Sequence, residues 1–364
     1  MRSHKTYIIA EIGVNHNGSM KIAKNLIQAA KKLGANAVKF QKFVPNLMIL
    51  DNTKKTNYQN KSTKTKESQK AMLNRYVLSD QDYINLQKTC KKNNIDFLCT
   101  PFEDQSLDFL LKKLKLKIIK ISSTDLTNIP FLIKIAQSNV KVYLSTGMSN
   151  IEEVDIALSA LAHGYKKFKT KFNPKLHKNI FKKYTKTLSE KVTLMHCTSQ
   201  YPAPTNELNL NILDMYKSRY SIPIGYSDHS KNFLTPIIAV AKNIDIIEVH
   251  ITMSNKLTGP DHKSSLNIKD FKKYINLIKQ SEIILGHLNK IVTPSEINVR
   301  KYARKSLVTT CSIRKGERIK EKHFSAKRPG YGISPIYYYQ YIGKKIMNDL
   351  SENKILVKEY FEKK

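Results

Sequence analysis

The feature that most constrains this chain is a repeated change of hydrophobic period. Through the first 286 residues, short β-type runs alternate with helix-period segments. The runs fall at 7–12 (YIIAEI), 35–41 (ANAVKFQ), 95–100 (IDFLCT), 117–122 (KIIKIS), 141–146 (KVYLST), 192–197 (VTLMHC), 221–227 (SIPIGYS) and 245–250 (DIIEVH). Between most of them lie segments of helical length. Residues 19–34 carry Ile22, Leu26, Ile27 and Ala30 at helix spacing and stop at Gly34. Eight strands alternating with helices predict an α/β fold, a (β/α)8 TIM barrel. An open doubly wound sheet is the competing architecture, and no GxGxxG follows the first run to support it.

Two connections interrupt the alternation. Residues 42–79 are polar, and 165–191 carry ten lysines against one glutamate, which reads as a solvated surface insertion. The barrel is assigned to 1–286, a linker to 287–300 (HLNKIVTPSEINVR) and a small β-rich unit to 301–364. That unit is short for a large core of its own and is expected to pack on a barrel, its own or a partner's.

Composition narrows the class. Hydrophobic residues make up 41% of the chain, enough for a buried core, so a disordered chain is excluded. No apolar stretch reaches the length of a membrane span, and the N-terminus lacks a signal-peptide core, so no membrane and a cytoplasmic location are expected. The cysteines (Cys90, Cys99, Cys197, Cys311) form no CxxC pair, against a zinc knuckle or disulfide scaffold. Basic residues number 63 against 29 acidic, a net charge of +34. Only eight are Arg, and Lys is spread along the whole chain, whereas dedicated nucleic-acid readers favour Arg forks. No nucleic-acid partner is therefore expected. A basic surface still favours an anionic substrate.

Active sites of (β/α)8 barrels sit at the C-terminal ends of the strands. All eight predicted strands end in polar or ionisable groups: Glu11; Lys39 and Gln41; Thr100; Lys120, Ser122, Ser123 and Asp125; Ser145 and Thr146; His196, Thr198, Ser199 and Tyr201; Ser227, Asp228 and His229; Glu248 and His250. One such residue is often a helix cap; a full ring predicts a composite site. Lys39 and Lys120 interrupt apolar strands, and an unpartnered buried ammonium is costly, so an anionic ligand is their natural partner. The hydroxyls of Thr100, Ser123, Ser145 and Ser227 suit phosphate or carboxylate oxygens. Two lysines with four hydroxyls suggest a small, doubly anionic substrate. His229 and His250 close adjacent strands, where two imidazoles suit a divalent ion such as Mn²⁺, with a plain hydrogen-bonding pair as the alternative.

Taken in order, IIAEIGVNHNGS, AVKFQ, CTPFED, IKIS, LSTGM, LMHCTSQYPAP, IGYSDHS, GPDHKSSL and KRPGYGISP resemble the sialic acid (N-acetylneuraminate) synthase family over almost the whole chain. The resemblance implies a (β/α)8 barrel followed by a C-terminal SAF (antifreeze-like) domain. It implies condensation of phosphoenolpyruvate with an N-acetylated aldose and water, giving a nine-carbon 2-keto-3-deoxy sugar acid and phosphate. The aldose is N-acetylmannosamine by default; a diacetamido-trideoxyhexose, of legionaminate or pseudaminate type, is the alternative.

The resemblance also assigns residues. Lys39, Thr100, Lys120, Ser123, Ser145, Ser199 and Ser227 would hold phosphoenolpyruvate. His229 and His250 would hold the metal, Mn²⁺ first and Mg²⁺ or Co²⁺ as alternatives. Gln41, Asp125, Tyr201 and Asp261 would meet the sugar, with Arg328 arriving from the partner of a domain-swapped homodimer. Glu11 would handle the proton of the attacking water, with a bond to the Asn15–Asn17 loop as its purely structural alternative. Three positions depart from the family pattern: Asp125 stands where Glu is usual, Ser199 where Asn is usual, and Val249 where a basic residue is usual. A 3-deoxy-octulosonate-type synthase is a further alternative, opposed by the SAF-like tail. A basic protein gripping nucleic acid or anionic lipid through 165–191 is the non-enzyme alternative.

Overall fold

The computed structural model describes residues 5–362. The chain divides into two compact units, Met1–His287 and Leu288–Lys364.

The first unit is built on eight parallel strands: β1 (Tyr7–Gly13), β2 (Ala37–Lys42), β3 (Asp96–Pro101), β4 (Ile118–Ile121), β5 (Lys141–Ser145), β6 (Val192–His196), β7 (Ile224–Asp228) and β8 (Ile246–Thr252). Hydrogen-bonded neighbours run β3-β2-β1-β8-β7-β6-β5-β4, and β3 lies beside β4 at the remaining seam, so the sheet is a nearly closed barrel. The open doubly wound sheet is thereby excluded. A short ninth strand, β9 (Leu266–Asn267), pairs with the end of β8.

The helices form for the reasons the pattern implied. In Met20–Leu33, Ser19 caps the N-terminus by accepting from the Ile22 N–H, and Gly34 ends the helix at φ 105. Ala23, Leu26, Ile27 and Ala30 face the sheet. Their neighbours join one large apolar layer between strands and helices. Val249 belongs to that layer, so the departure from a basic residue there falls outside the barrel interior.

The interior decides where chemistry can occur. Ile9, Ala37, Leu98, Met195 and Ile246 form a plug, with Tyr7, Ile118 and Tyr143 packed against it. Successive side chains on a strand alternate between faces, so residues two further on also point inward. Two steps above that plug stand Glu11, Lys39, Thr100, Lys120, Ser145, Cys197 and Glu248. The apolar plug is thus roofed by a polar ring at the C-terminal mouth.

The connections are more ordered than composition suggested. Residues 42–79 contain helices Pro45–Met48, Asn57–Thr63 and Gln69–Asn74. The segment 165–191 contains Pro174–His177, Ile180–Lys183 and Thr185–Lys191, anchored by buried Phe181 and Leu188 while nearly all its lysines stay exposed.

In the second unit, residues expected as linker include the start of a helix, Pro294–Ala303, capped reciprocally by Thr293 and Glu296. An antiparallel pair, β10 (Ser306–Thr309) and β11 (Phe324–Lys327), follows. This unit closes a small core of its own from Leu307, Ile313, Ile319, Ile333, Tyr341, Ile346, Leu350, Leu356 and Phe361. Short loops bridged by isolated β-contacts let few residues surround Ile346 completely.

Candidate active site

Parallel register sets the first contacts. Glu11 is paired with Lys39 on one side and with His250 on the other, and Ser227 with Glu248. The Lys39 ammonium lies 2.9 Å from Glu11 Oε2 and 3.6 Å from Glu248 Oε1, and donates to Thr100 Oγ1 at 3.2 Å. Lys120 donates to Ser145 Oγ at 2.5 Å and lies 3.9 Å from Glu248 Oε1. Ser227 Oγ donates to the same Glu248 oxygen at 3.0 Å. The premise that the buried lysines need an external anion is therefore corrected: two carboxylates of the chain already compensate them.

Burial works on every charge here. It disfavours the Lys39 ammonium, but Glu11 and Glu248 outweigh it and hold its pKa above the ordinary value. Lys120 is pushed below its ordinary value by burial, only partly offset by Glu248. Burial raises Glu11 despite the attraction of Lys39. For Glu248, burial is outweighed by Lys120 and Lys39, so it stays ionised. Glu11 thus combines a raised pKa with a place at the centre of the site, as a proton carrier needs. Its Oε1 accepts from Gln41 Nε2 at 2.8 Å, and Asn15 bonds instead to Ile251 O and Ser265 Oγ.

Ser123, Ser199 and Cys197 surround Gly147. The Gly147 N–H donates to Ser123 Oγ at 3.0 Å, and Ser123 Oγ lies 3.2 Å from Cys197 Sγ. A Cβ at Gly147 would collide with Ser199 Oγ and lie 2.9 Å from Ser123 Oγ. A backbone N–H and two hydroxyls meeting where only hydrogen fits make a cradle suited to anion oxygens.

The imidazoles of His229 and His250 have centroids 5.5 Å apart. Burial lowers the pKa of both, so both are neutral near pH 7. His229 Nδ1 lies 2.7 Å from Thr198 O, a bond that requires its proton there and leaves Nε2 with a lone pair. That lone pair faces Tyr201 OH at 3.1 Å and Ser227 Oγ at 3.3 Å. His250 Nδ1 is buried without a hydrogen-bond partner. Two neutral rings, one fixed from behind and one with an unpartnered nitrogen, fit a divalent ion. Among the described residues no three His, Cys, Asp or Glu groups converge on one point, so such an ion would complete its shell with water or substrate oxygens.

The residues expected to meet the sugar divide. Gln41 and Tyr201 line the central cavity of ≈ 50 Å³. Asp125 lies beside it, in an adjoining cleft of ≈ 620 Å³, accepting from Asn128 Nδ2 at 3.2 Å and Thr124 Oγ1 at 3.3 Å. Asp261 lines neither cavity, but its buried carboxyl is raised to about 7, first by burial and then by Glu11. Arg328 lies exposed on the second unit, after β11, with no partner among the described residues.

Some strand-end groups are structural. His196 Nε2 bonds to Leu208 O, Thr146 to Met195 O, and Asp228 accepts from Tyr274 OH at 2.8 Å and from Ser230. Other site members were not assigned from the sequence. Glu248 stood in the polar ring yet received no role; its place two residues before His250 on the same strand was the available signal. Tyr58, whose ring lies 5.1 Å from that of Tyr201, comes from the connection read only as polar. Gly147 stood at the end of the fifth predicted strand, within LSTGM, and received no role.

Fold and cavity together define a class: a (β/α)8 enzyme that can hold a small polyanion beside two neutral imidazoles. The chain belongs to the NeuB family, whose model matches residues 26–290, and the SAF domain matches residues 304–362. It is 40% identical to the N,N'-diacetyllegionaminic acid synthase of Campylobacter jejuni, over 97% of this chain and 99% of that one. It is 34% identical to the enzyme of the same name from Legionella pneumophila, over 98% and 94%. Among solved structures, the N-acetylneuraminic acid synthetase of Leptospira borgpetersenii, in complex with citrate, aligns with a TM-score of 0.64 at 30% identity, over 81% of this chain and 90% of that one. The chain is thus a member of the nonulosonic acid synthases.

Proposed function

We propose that this enzyme condenses phosphoenolpyruvate with a diacetamido-trideoxyhexose to an N,N'-diacetyllegionaminate-type acid, in place of the N-acetylmannosamine first expected. The observation that supports this is the full-length similarity to two synthases bearing that product's name. Phosphoenolpyruvate carries no nitrogen, so both acetamido groups of such a product come from the aldose.

In this reading, Lys39, Lys120, Thr100, Ser145 and Ser227 bind the carboxylate and phosphate, with Ser123, Ser199 and the Gly147 N–H closing around one anionic end. His229 and His250 hold a divalent ion, Mn²⁺ first, which supplies Lewis-acid polarisation of the aldehyde oxygen when bound. C3 of phosphoenolpyruvate attacks the aldehyde carbon, leaving an alkoxide on the sugar, and water adds at the cationic C2. Glu11 takes one proton of that water and passes it to the alkoxide; the C2–O bond to phosphate then breaks, the remaining C2 hydroxyl becomes the ketone and its proton leaves with the phosphate. Gln41, Tyr201, Asp125 and Asp261 orient the sugar. The exposed Arg328 of the second unit reaches the barrel of a partner in a homodimer.

Phosphate release tests the substrate. With Mn²⁺ and phosphoenolpyruvate, the diacetamido-trideoxyhexose should show a higher kcat/KM than N-acetylmannosamine. The reverse order would return the enzyme to the sialic acid synthases proper.

A further inference from the structure

The cavity at the barrel mouth, ≈ 50 Å³, is smaller than ligand sites usually are, whereas the adjoining cleft of ≈ 620 Å³ falls within their range of about 300–1,000 Å³. The two share Phe102. They are also continuous along one turn, since Ser122 and Ser123 line the first and Thr124 and Asp125 the second. A sugar with its aldehyde near His229 and His250 therefore has its far end directed past Phe102 into the cleft.

The walls of the cleft differ in chemistry. One comes from the start of the connection after β2: Leu47 and Met48 of the helix Pro45–Met48, then Ile49. Leu47 is 58% exposed. Phe131 of the helix Ile129–Gln137 also lines the cleft, with Asp125 and Asn128 from the turn before that helix and the charged Glu103, Asp104 and Lys134. The cleft thus combines an apolar segment, Leu47 to Ile49, with a carboxylate acceptor beside an amide.

We infer that this cleft is the subsite that selects the aldose: Leu47 and Met48 receive its terminal methyl group, and Asp125 with Asn128 receives the N–H and carbonyl of its distal acetamido group. The assignment rests on the proposed reaction and names what that reaction leaves open, the feature that separates two aldoses. A diacetamido-trideoxyhexose ends in a methyl where N-acetylmannosamine ends in a hydroxymethyl. It also carries a second acetamido group where the other has a hydroxyl. A hydroxyl against Leu47 and Met48 loses its water without gaining a bond. The distal acetamido N–H gives the buried Asp125 carboxylate a further donor. An apolar pocket discriminates against an added hydroxyl by a factor of only about 100, so Leu47 and Met48 grade the substrates rather than exclude one.

The test compares wild type with Leu47→Asn/Met48→Gln, a double change at an exposed and a half-buried position that leaves the polar ring untouched. The probes are the diacetamido-trideoxyhexose and N-acetylmannosamine. Expected is a fall of roughly tenfold or more in kcat/KM for the first sugar with little change for the second. An equal loss on both, or no change on either, overturns the assignment. Calorimetric titration of wild type and variant with each sugar, without phosphoenolpyruvate, separates the two levels. If neither sugar supports phosphate release, the reaction proposed above falls. The cleft then stands only if the trideoxyhexose still binds wild type more tightly than the variant, and falls if the two bind alike.

Discussion

Glu11 and Lys39 face each other across the first ladder of the barrel, register partners whose Oε2 and Nζ stand 2.9 Å apart at side-chain exposures of 1% and 5%. A buried ion pair contributes little net stability, yet losing one partner strands the other. Its value here is readiness: a lysine held charged by the group assigned to move a proton.

The anion pocket can be probed at both lysines. Lys39→Met and Lys120→Met should each reduce kcat/KM for phosphoenolpyruvate about tenfold or more, since a charge-assisted contact is worth about 1.5–3 kcal/mol. Steady-state phosphate release reads this directly. If both variants keep wild-type kcat/KM, the phosphate binds elsewhere.

Gly147 offers a subtler probe. Its missing Cβ leaves room for Ser123, Ser199 and Cys197 around one N–H. Gly147→Ala should raise KM for phosphoenolpyruvate strongly while near-UV circular dichroism keeps its folded signature. An unchanged KM would show that the cradle is not where the anion sits.

Chelation should abolish condensation and Mn²⁺ should restore it. Wild type should bind Mn²⁺ in an electron paramagnetic resonance titration. His250→Ala should lose both that binding and activity while melting as a folded protein. Full activity of the variant in chelator would remove both histidines from the metal role.

Asp261 predicts a pH signature. Its folded pKa, about 7, lies above the ordinary 3.8, so the folded protein keeps a proton that the unfolded chain has shed. Stability therefore falls as pH climbs through that window, by an upper limit of about 4 kcal/mol. Asp261→Asn has no carboxylate to ionise. Its Tm relative to wild type should move in the variant's favour between about pH 4 and about pH 8. A constant difference across that range would mean that the carboxyl titrates normally.

The proposal that Arg328 completes a partner's site can be tested by mixing. Arg328→Ala and Lys39→Met proteins should each show reduced activity alone, and their mixture should exceed the mean of the two as heterodimers form with one intact site. If native mass spectrometry shows exchanged subunits and activity stays at that mean, Arg328 serves its own barrel or none.

Much of this protein is legible in its residues because the relevant physics is local. Period-two runs between helix-period segments specify the strands, and Ser19 and Gly34 bracket the first helix through their own caps. Lys39 and Lys120 announce themselves by breaking apolar strands. Other features depend on contacts distant in sequence. Glu248 becomes the hub of two lysines only once the sheet closes and sets β8 across the interior from Lys39 of β2 and Lys120 of β4. Tyr58 reaches Tyr201 because a polar-looking connection folds over the mouth. Asp125, placed with Gln41, Tyr201 and Asp261 by the family resemblance, lines a separate cleft that also takes in Leu47, Met48 and Ile49 from the connection after β2.

What the sequence determined by itself was the barrel and the ring of polar strand ends, since alternation along a strand obliges every second residue to share a face. What the tertiary structure decided was which of those groups compensate one another, which merely hold loops, and where room is left for a ligand. Charge compensation and cavity shape arise from residues brought together by closure of the sheet, and strand periodicity carries no information about their separation in space.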